Sequence, residues 1–145
     1  MAPSRSQLID TANAFIAAYN QWTVSGVLSI QSPSCTHRVL PGNRPAKTRA
    51  EFGEFLERTI PVIRNFRLHS VDTSPWIVDV EARRVTMHLK STGESDIGAY
   101  NNEYIFMITI SEDGEKVDGI LEFLDSLYSS EFVSSLAKET GEALG

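Results

Sequence analysis

Residues 103–126, EYIFMITISEDGEKVDGILEFLDS, decide the fold of this 145-residue chain. Two runs rich in β-branched and aromatic residues, 103–111 and 116–125, flank the pair Asp113-Gly114. Such a pair between two strand-like runs is a strong signal for a tight β-hairpin. The stretch therefore predicts the last two strands of an antiparallel sheet.

Two earlier runs with a period of two, 66–72 and 83–91, extend the hairpin into a four-stranded antiparallel meander. Ser126 follows the last strand and is predicted to cap a final helix. The polar residues 138–145 are expected to fray at the end of that helix.

Three helices are predicted ahead of the meander, because apolar residues recur there at helical spacing. Their start signals are, in chain order, Ser4 with Gln7, Thr23, and Thr48 with Glu51. The third helix should kink or end near Pro61, because a proline ring removes an amide donor and crowds the preceding turn. Between the second and third helices, residues 31–34 are predicted to be a break, and 35–40 a short strand that stops at Pro41.

This order of elements predicts an α+β fold in which a curved sheet, antiparallel or mixed, is covered on one face by three N-terminal helices and followed by a C-terminal helix. A strongly curved sheet closed by helices forms a cone with a pocket inside. The length of the chain is that of one ordinary domain, so residues 1–145 are predicted to form a single domain.

The composition excludes several partners and groups. The net charge is −6 and no cluster of Lys or Arg occurs, which argues against binding to nucleic acids or membranes. Cys35 is the only cysteine, so no internal disulfide is expected, and the three histidines lack metal-ligand spacing. We therefore expect no metal site. The sequence also lacks a signal peptide and a membrane-length apolar run, so a cytoplasmic protein is expected.

Apolar residues occupy both alternating positions of the last strand, whereas a lone antiparallel sheet normally shows one polar face to water. A homodimer that packs sheet against sheet would cover the second apolar face. The alternative is that the terminal helix or a loop covers it.

Three segments carry a resemblance to a known family: SCTHRVLP (34–41), AYNNEYIF (99–106) and SEDGEKVDGILEFLDS (111–126). Together with the element order, they resemble the SnoaL-like branch of the nuclear transport factor 2-like superfamily. The similarity is greatest to small fungal isomerases and cyclases of meroterpenoid and tetrahydroxanthone pathways.

This resemblance implies a cofactor-free isomerase or cyclase, usually homodimeric, that uses an acid/base pair on a polycyclic secondary metabolite. The superfamily also contains dehydratases, aldol cyclases and non-catalytic ligand-binding or dimerisation modules. Those activities remain the alternatives, because a fold does not settle function.

Glu122 is the leading candidate for catalysis. In related enzymes the acid at this place in the last strand points into the cone, where apolar surroundings suit a carboxylate to proton transfer. The alternative is a dimer contact or a pair with a basic residue. Asp118 shares its strand face and is either a second pocket acid or a surface acid, whereas Asp125 is expected to serve the start of the final helix.

Histidines are the expected partners of the acid. His88 lies on a polar strand face, which is either solvent or pocket wall, and His is the usual proton shuttle near neutral pH. The resemblance also implies that either His37 or Arg38 reaches the pocket mouth. His37 is preferred because its strand face is the more apolar one, while Arg38 could clamp an oxyanion.

The predicted mechanism has Glu122 or Asp118 remove a proton next to a carbonyl while His88 or His37 stabilises the enolate. His69 and Glu103 are weaker candidates for substrate binding. Tyr19 and Trp22 would close the wide end of the cone in the family's arrangement, although packing is the simpler interpretation of both.

Overall fold

The computed structural model describes residues 2–140. The helices are α1 (Arg5–Gln21), α2 (Val24–Leu28), α3 (Arg49–Thr59) and α4 (Ser126–Thr140). The strands are β1 (Gln31–Leu40), β2 (Lys47–Thr48), β3 (Arg64–Ser70), β4 (Ile77–Asp79), β5 (Arg84–Ser95), β6 (Gly98–Ala99), β7 (Asn102–Ile110) and β8 (Val117–Leu124).

The strands form one curved sheet in the order β2-β1-β8-β7-β5-β3, with β4 and β6 paired to β5. Strands β3, β5, β7 and β8 are the predicted antiparallel meander. β1 joins this meander in parallel to β8, so the sheet is mixed. The α+β prediction of a nuclear transport factor 2-like cone is thus confirmed.

One face of the sheet, the inner face, packs against the helices. In β5, Val85, Met87 and Leu89 are fully buried while the residues between them face outward. In β7, Phe106 lies against Phe15 of α1 with ring centroids 5.5 Å apart. Because side chains alternate along a strand, the packing of α1 on these apolar residues fixes which face of β5 and of β7 is the inner one.

The helix starts follow the predicted signals. Ser4 Oγ accepts a hydrogen bond from the Gln7 amide at 3.2 Å, and Thr23 Oγ1 accepts one from the Gly26 amide at 3.0 Å. Thr48 and Glu51 form a reciprocal capping box at α3. As predicted, α3 ends at Thr59, ahead of Pro61.

Two local predictions are wrong. Residues 31–34 are not a break but the first part of β1, where a register shift between Gln31 and Thr36 accommodates Pro33. The cap of α4 is Asp125 rather than Ser126, because the Asp125 carboxylate accepts the hydrogen bond from the Tyr128 amide at 3.1 Å.

The predicted fraying of residues 138–145 lies largely outside the described residues. Helix α4 runs as far as Thr140, and residues 141–145 lie outside the described residues. None of the helices within residues 2–140 is both long and apolar enough to cross a membrane.

The outer face of the sheet is apolar where β7 and β8 pair. Ile105 is 37% exposed and its cross-strand partner Phe123 is 47% exposed. Helix α4 lies on the other side, where Phe132 packs on Tyr100 with ring centroids 4.8 Å apart. The alternative that the terminal helix covers the outer face is therefore wrong.

Candidate active site

A histidine and a glutamate form a hydrogen-bonded pair on the inner face of the sheet. His37 Nε2 lies 2.8 Å from Glu122 Oε1, and their side chains are only 3% and 13% exposed. In the parallel register of β1 and β8, His37 is opposite Ile120 and Val39 is opposite Glu122. The two side chains are therefore diagonal neighbours on one face.

The surroundings of His37 decide which atom carries the proton. Its Nδ1 is buried and has no hydrogen-bond partner among the described residues. A proton on Nδ1 would be an unsatisfied buried donor, whereas a bare lone pair there costs less. The favoured arrangement is a neutral imidazole with its proton on Nε2, donating to an ionised Glu122 carboxylate. In this arrangement Glu122 is the hydrogen-bond acceptor of the pair.

The pair lies in the wall of a cavity of about 490 Å³. Most of the wall is apolar, formed by Trp22, Phe52, Phe55, Phe66 and neighbouring aliphatic residues. Exposed lining residues occur in loop 41–46 and along α4, so the cavity opens between these two segments. Its size and lining are those of a site for a small, largely apolar molecule.

Three tyrosines share the cavity with Glu122: Tyr19, Tyr100 and Tyr104. Burial raises the pKa of all three phenols, and the Glu122 carboxylate adds to the rise. These hydroxyls therefore stay protonated near neutral pH and can donate hydrogen bonds.

The three hydroxyls differ in their partners. The Tyr104 hydroxyl lies 2.7 Å from Ser91 Oγ, and the Tyr100 hydroxyl accepts a hydrogen bond from Asn102 Nδ2 at 2.9 Å. The Tyr19 hydroxyl takes part in none of the hydrogen bonds formed within residues 2–140. It is thus the phenol that is free to bind a ligand.

Four of the predicted site residues are brought together. Glu122, His37, Tyr19 and Trp22 all line the cavity. Trp22 stacks on Phe66 with ring centroids 4.4 Å apart, and its Nε1 donates to the Ile63 carbonyl at 2.6 Å. Trp22 therefore forms part of the wall as well as packing in the core.

The structure places four others on the outer face, which corrects their expected position in the pocket. His88 Nε2 is hydrogen-bonded to Glu103 Oε2 there, and His69 is exposed on the neighbouring strand. Arg38 also faces outward, and its Nη2 donates to the Gly42 carbonyl at 3.3 Å. Side chains alternate along a strand, and the neighbours of these four residues are buried against the helices. The four side chains therefore point to the outer face.

Asp118 lies apart from the cavity. It is half-buried beside the irregularity between β7 and β8, close to Cys35. Burial raises the pKa of the Cys35 thiol to about 12, and Asp118 adds to the rise. A thiol with this pKa is a poor nucleophile near neutral pH.

Several cavity residues were not among the predicted ones: Tyr100, Tyr104, Arg44, Lys47, Phe52 and Phe55. Phe52 is the most informative, because its ring lies 4.4 Å from the His37 ring.

Within residues 2–140, no group of three or more His, Cys, Asp or Glu side chains is placed to hold a metal ion.

Comparison with known proteins gives close relatives over nearly the full length. No family model matches the sequence. Austinoid biosynthesis cluster protein H of Aspergillus calidoustus is 36% identical over 129 residues, which are 87% of this chain and 88% of that protein.

Two solved structures share both fold and sequence with the chain. The crystal structure of the BvnE pinacolase from Penicillium brevicompactum has a TM-score of 0.89 and 29% identity, covering 95% of this chain and 97% of that one. The structure of AusH from Aspergillus nidulans has a TM-score of 0.81 and 32% identity, covering 86% and 87% of the two chains.

Proposed function

The chain belongs to the SnoaL-like family of fungal meroterpenoid biosynthesis proteins, and from this membership we propose that it is a cofactor-independent isomerase or cyclase of a secondary-metabolite pathway. The observation that carries the proposal is the His37–Glu122 pair in the wall of an apolar cavity. A carboxylate held in such a place is a general base, and a polycyclic terpenoid or polyketide is the class of substrate that suits the apolar wall.

The proposed reaction begins with removal of a proton from a carbon next to a carbonyl by Glu122. The electron pair moves to the carbonyl oxygen, where the Tyr19 hydroxyl stabilises the developing negative charge by donating a hydrogen bond. The enolate then takes back the proton from Glu122 at another carbon, or its carbon attacks a second carbonyl carbon of the same molecule, whose C=O π bond opens and whose oxygen receives the proton from Glu122. No electrons enter or leave, so the product of isomerisation has the mass of the substrate.

His37 acts as a positioning residue in this proposal. Its Nε2–H holds Oε1 of Glu122, which fixes the carboxylate and leaves the other oxygen for the substrate proton. The Phe52 ring against the imidazole restricts its rotation.

The relatives support this class of reaction. One is named for austinoid biosynthesis and another is called a pinacolase. A cavity filled by large side chains would favour a non-catalytic association module, and the open volume of about 490 Å³ speaks against that alternative. A ligand carrier also needs an open cavity, so turnover separates it from the enzyme.

We also propose a homodimer through the outer face of β7 and β8. Ile105 and Phe123 form an apolar patch there with the partly buried Met107 and Leu121. A second copy of the same face would cover the patch by two-fold symmetry.

The test starts from the metabolite that accumulates when the gene is deleted in its host. The purified protein should convert this metabolite to a product of equal mass, and a loss of water would instead indicate the dehydratase alternative. Glu122→Gln keeps the hydrogen bond from His37 but cannot accept a proton, so turnover should fall by about three orders of magnitude or more. Near wild-type turnover in a folded Glu122→Gln protein would remove Glu122 from the mechanism, and binding without conversion by the wild type would favour a carrier.

A further inference from the structure

The cavity has a positive side that the proposed proton transfer does not use. Arg44 and Lys47 line it at its opening, and Glu122 is the only carboxylate among its described lining residues. The chain as a whole carries a net charge of −6. Two cations at the mouth of an apolar cavity in an acidic protein therefore need an explanation.

Neither cation is neutralised by the protein. Within residues 2–140, the ion pairs are His37–Glu122, Arg64–Asp96 and His88–Glu103, and none involves Arg44 or Lys47. Lys47 interacts electrostatically with Glu51, but the Glu51 carboxylate already accepts a hydrogen bond from the Thr48 amide at 2.9 Å at the start of α3. Both cations are thus available to a ligand.

The strand register directs Lys47 toward the cavity. In β2 it is directly opposite His37 of β1, so its side chain leaves the sheet on the inner face. Its Nζ lies 5.8 Å from the centre of the Phe55 ring, which is itself part of the apolar wall. This contact holds the ammonium group beside the space where a ligand would lie.

The separation from the reacting centre follows from sheet geometry. Lys47 is two strands away from β8, and Glu122 lies two residues beyond Ile120, the partner of His37. A strand spacing of about 4.8 Å and a rise of about 3.3 Å per residue put the Cα atoms of Lys47 and Glu122 about 12 Å apart. A rigid polycyclic ligand can span this distance through the apolar wall between them.

We infer that Arg44 and Lys47 form a carboxylate-binding subsite and that the substrate is a polycyclic carboxylic acid, bound with its carboxylate at the opening and its enolisable carbon at Glu122. Arg presents a planar fork that matches a carboxylate, and Lys adds a point charge. The inference rests on the proposed function only in placing the reacting carbon at Glu122. Binding of the carboxylate does not depend on the reaction.

A binding experiment tests the subsite without the native substrate. The probes are abietic acid, a tricyclic terpenoid acid, and abietinol, in which an alcohol replaces the carboxylate. Their dissociation constants are measured by calorimetry near neutral pH and low ionic strength, where charge interactions are least screened. The wild type should bind the acid about tenfold more tightly than the alcohol.

The variants separate the subsite from the rest of the site. Arg44→Gln/Lys47→Met, which removes both charges and keeps the length of both side chains, should remove the preference for the acid and retain the binding of the alcohol. Arg58→Ala, which removes an exposed cation of α3 that does not line the cavity, should keep the preference. Circular dichroism verifies that each variant is folded.

Two results would overturn the inference. One is equal binding of acid and alcohol by the wild type, including no detectable binding of either. The other is a preference for the acid that survives in the double variant. Glu122→Gln should keep the preference for the acid, because Glu122 is not part of the subsite. Wild-type turnover in this variant would contradict the proposed catalysis and leave the subsite intact.

Discussion

The imidazole of His37 and the carboxylate of Glu122 meet across two parallel strands at 2.8 Å, although 85 positions separate them in the chain. Their meeting depends on the register of β1 against β8, in which His37 lies opposite Ile120. A shift of β1 by one residue would turn His37 to the outer face and replace it with Thr36 or Arg38. The site is therefore a product of this one parallel strand pair.

The buried, unpaired Nδ1 of His37 leads to a prediction about its tautomer. The imidazole of His37 should carry its proton on Nε2 rather than on Nδ1, because a proton on Nδ1 would have no acceptor among the described residues. Nitrogen-15 NMR of the imidazole should show a pyridine-like Nδ1 and a pyrrole-like Nε2. The exposed His69 provides an internal reference, and His37→Gln assigns the signals. Two protonated nitrogens would instead mean an ion pair with Glu122, and Glu122 could then not be the poised base of a neutral pair.

Sequence alone predicts the features that depend on neighbouring residues. The hairpin at Asp113-Gly114 and the caps at Ser4, Thr23 and Thr48 are local, and each forms as predicted. Strands β2, β4 and β6 have only two or three residues, too few to show a periodic pattern.

The site is harder to predict, because it depends on which face each strand turns to the helices. The alternation of β5 places His88 on the face away from the buried Met87 and Leu89. It does not show whether this polar face lines a pocket or is exposed to solvent. Only the packing of α1 decides this. Glu122 could be selected because a carboxylate among apolar residues is unusual, whereas its pairing with His37 required the register of β1.

The unpaired hydroxyl of Tyr19 predicts a difference between two conservative variants. Tyr19→Phe should lower kcat by about a hundredfold, because it removes the donor to the developing enolate oxygen. Tyr104→Phe should have a smaller effect, since the Tyr104 hydroxyl is already engaged with Ser91. The measurement is kcat and KM on the metabolite that accumulates in the deletion strain. A change in KM alone would mean that Tyr19 binds the substrate but does not stabilise the enolate. Equal losses of kcat in the two variants would contradict the special role assigned to the unpaired hydroxyl of Tyr19.

The apolar patch on the outer face predicts that one substitution separates the dimer. Phe123→Asp places a charge in the proposed interface of both copies, so the dissociation constant should rise by about a hundredfold. Sedimentation velocity over a range of concentrations measures this change. Leu127→Asp is the matched control, because Leu127 is 69% exposed on α4 and is not one of the four patch residues. A wild-type protein that is monomeric at all concentrations, or a Phe123→Asp variant as dimeric as the control, would exclude this interface.

The buried thiol of Cys35 predicts how stability depends on alkaline pH. Burial raises the pKa of the folded thiol from 9.0 to about 12, so between these values the unfolded chain loses this proton while the folded chain keeps it. The contribution is complete below about pH 9 and is lost as pH rises toward about 12, with a slope of up to about 1.4 kcal/mol per pH unit. Urea unfolding from neutral to alkaline pH should show this fall in the free energy of unfolding, and Cys35→Ala should make the fall shallower. Thr36→Ala, at the exposed neighbouring position, should keep the wild-type slope. An unchanged slope in Cys35→Ala would mean that the folded thiol titrates as it does in the unfolded chain, and the protein would then hold a reactive thiolate next to β8 at alkaline pH.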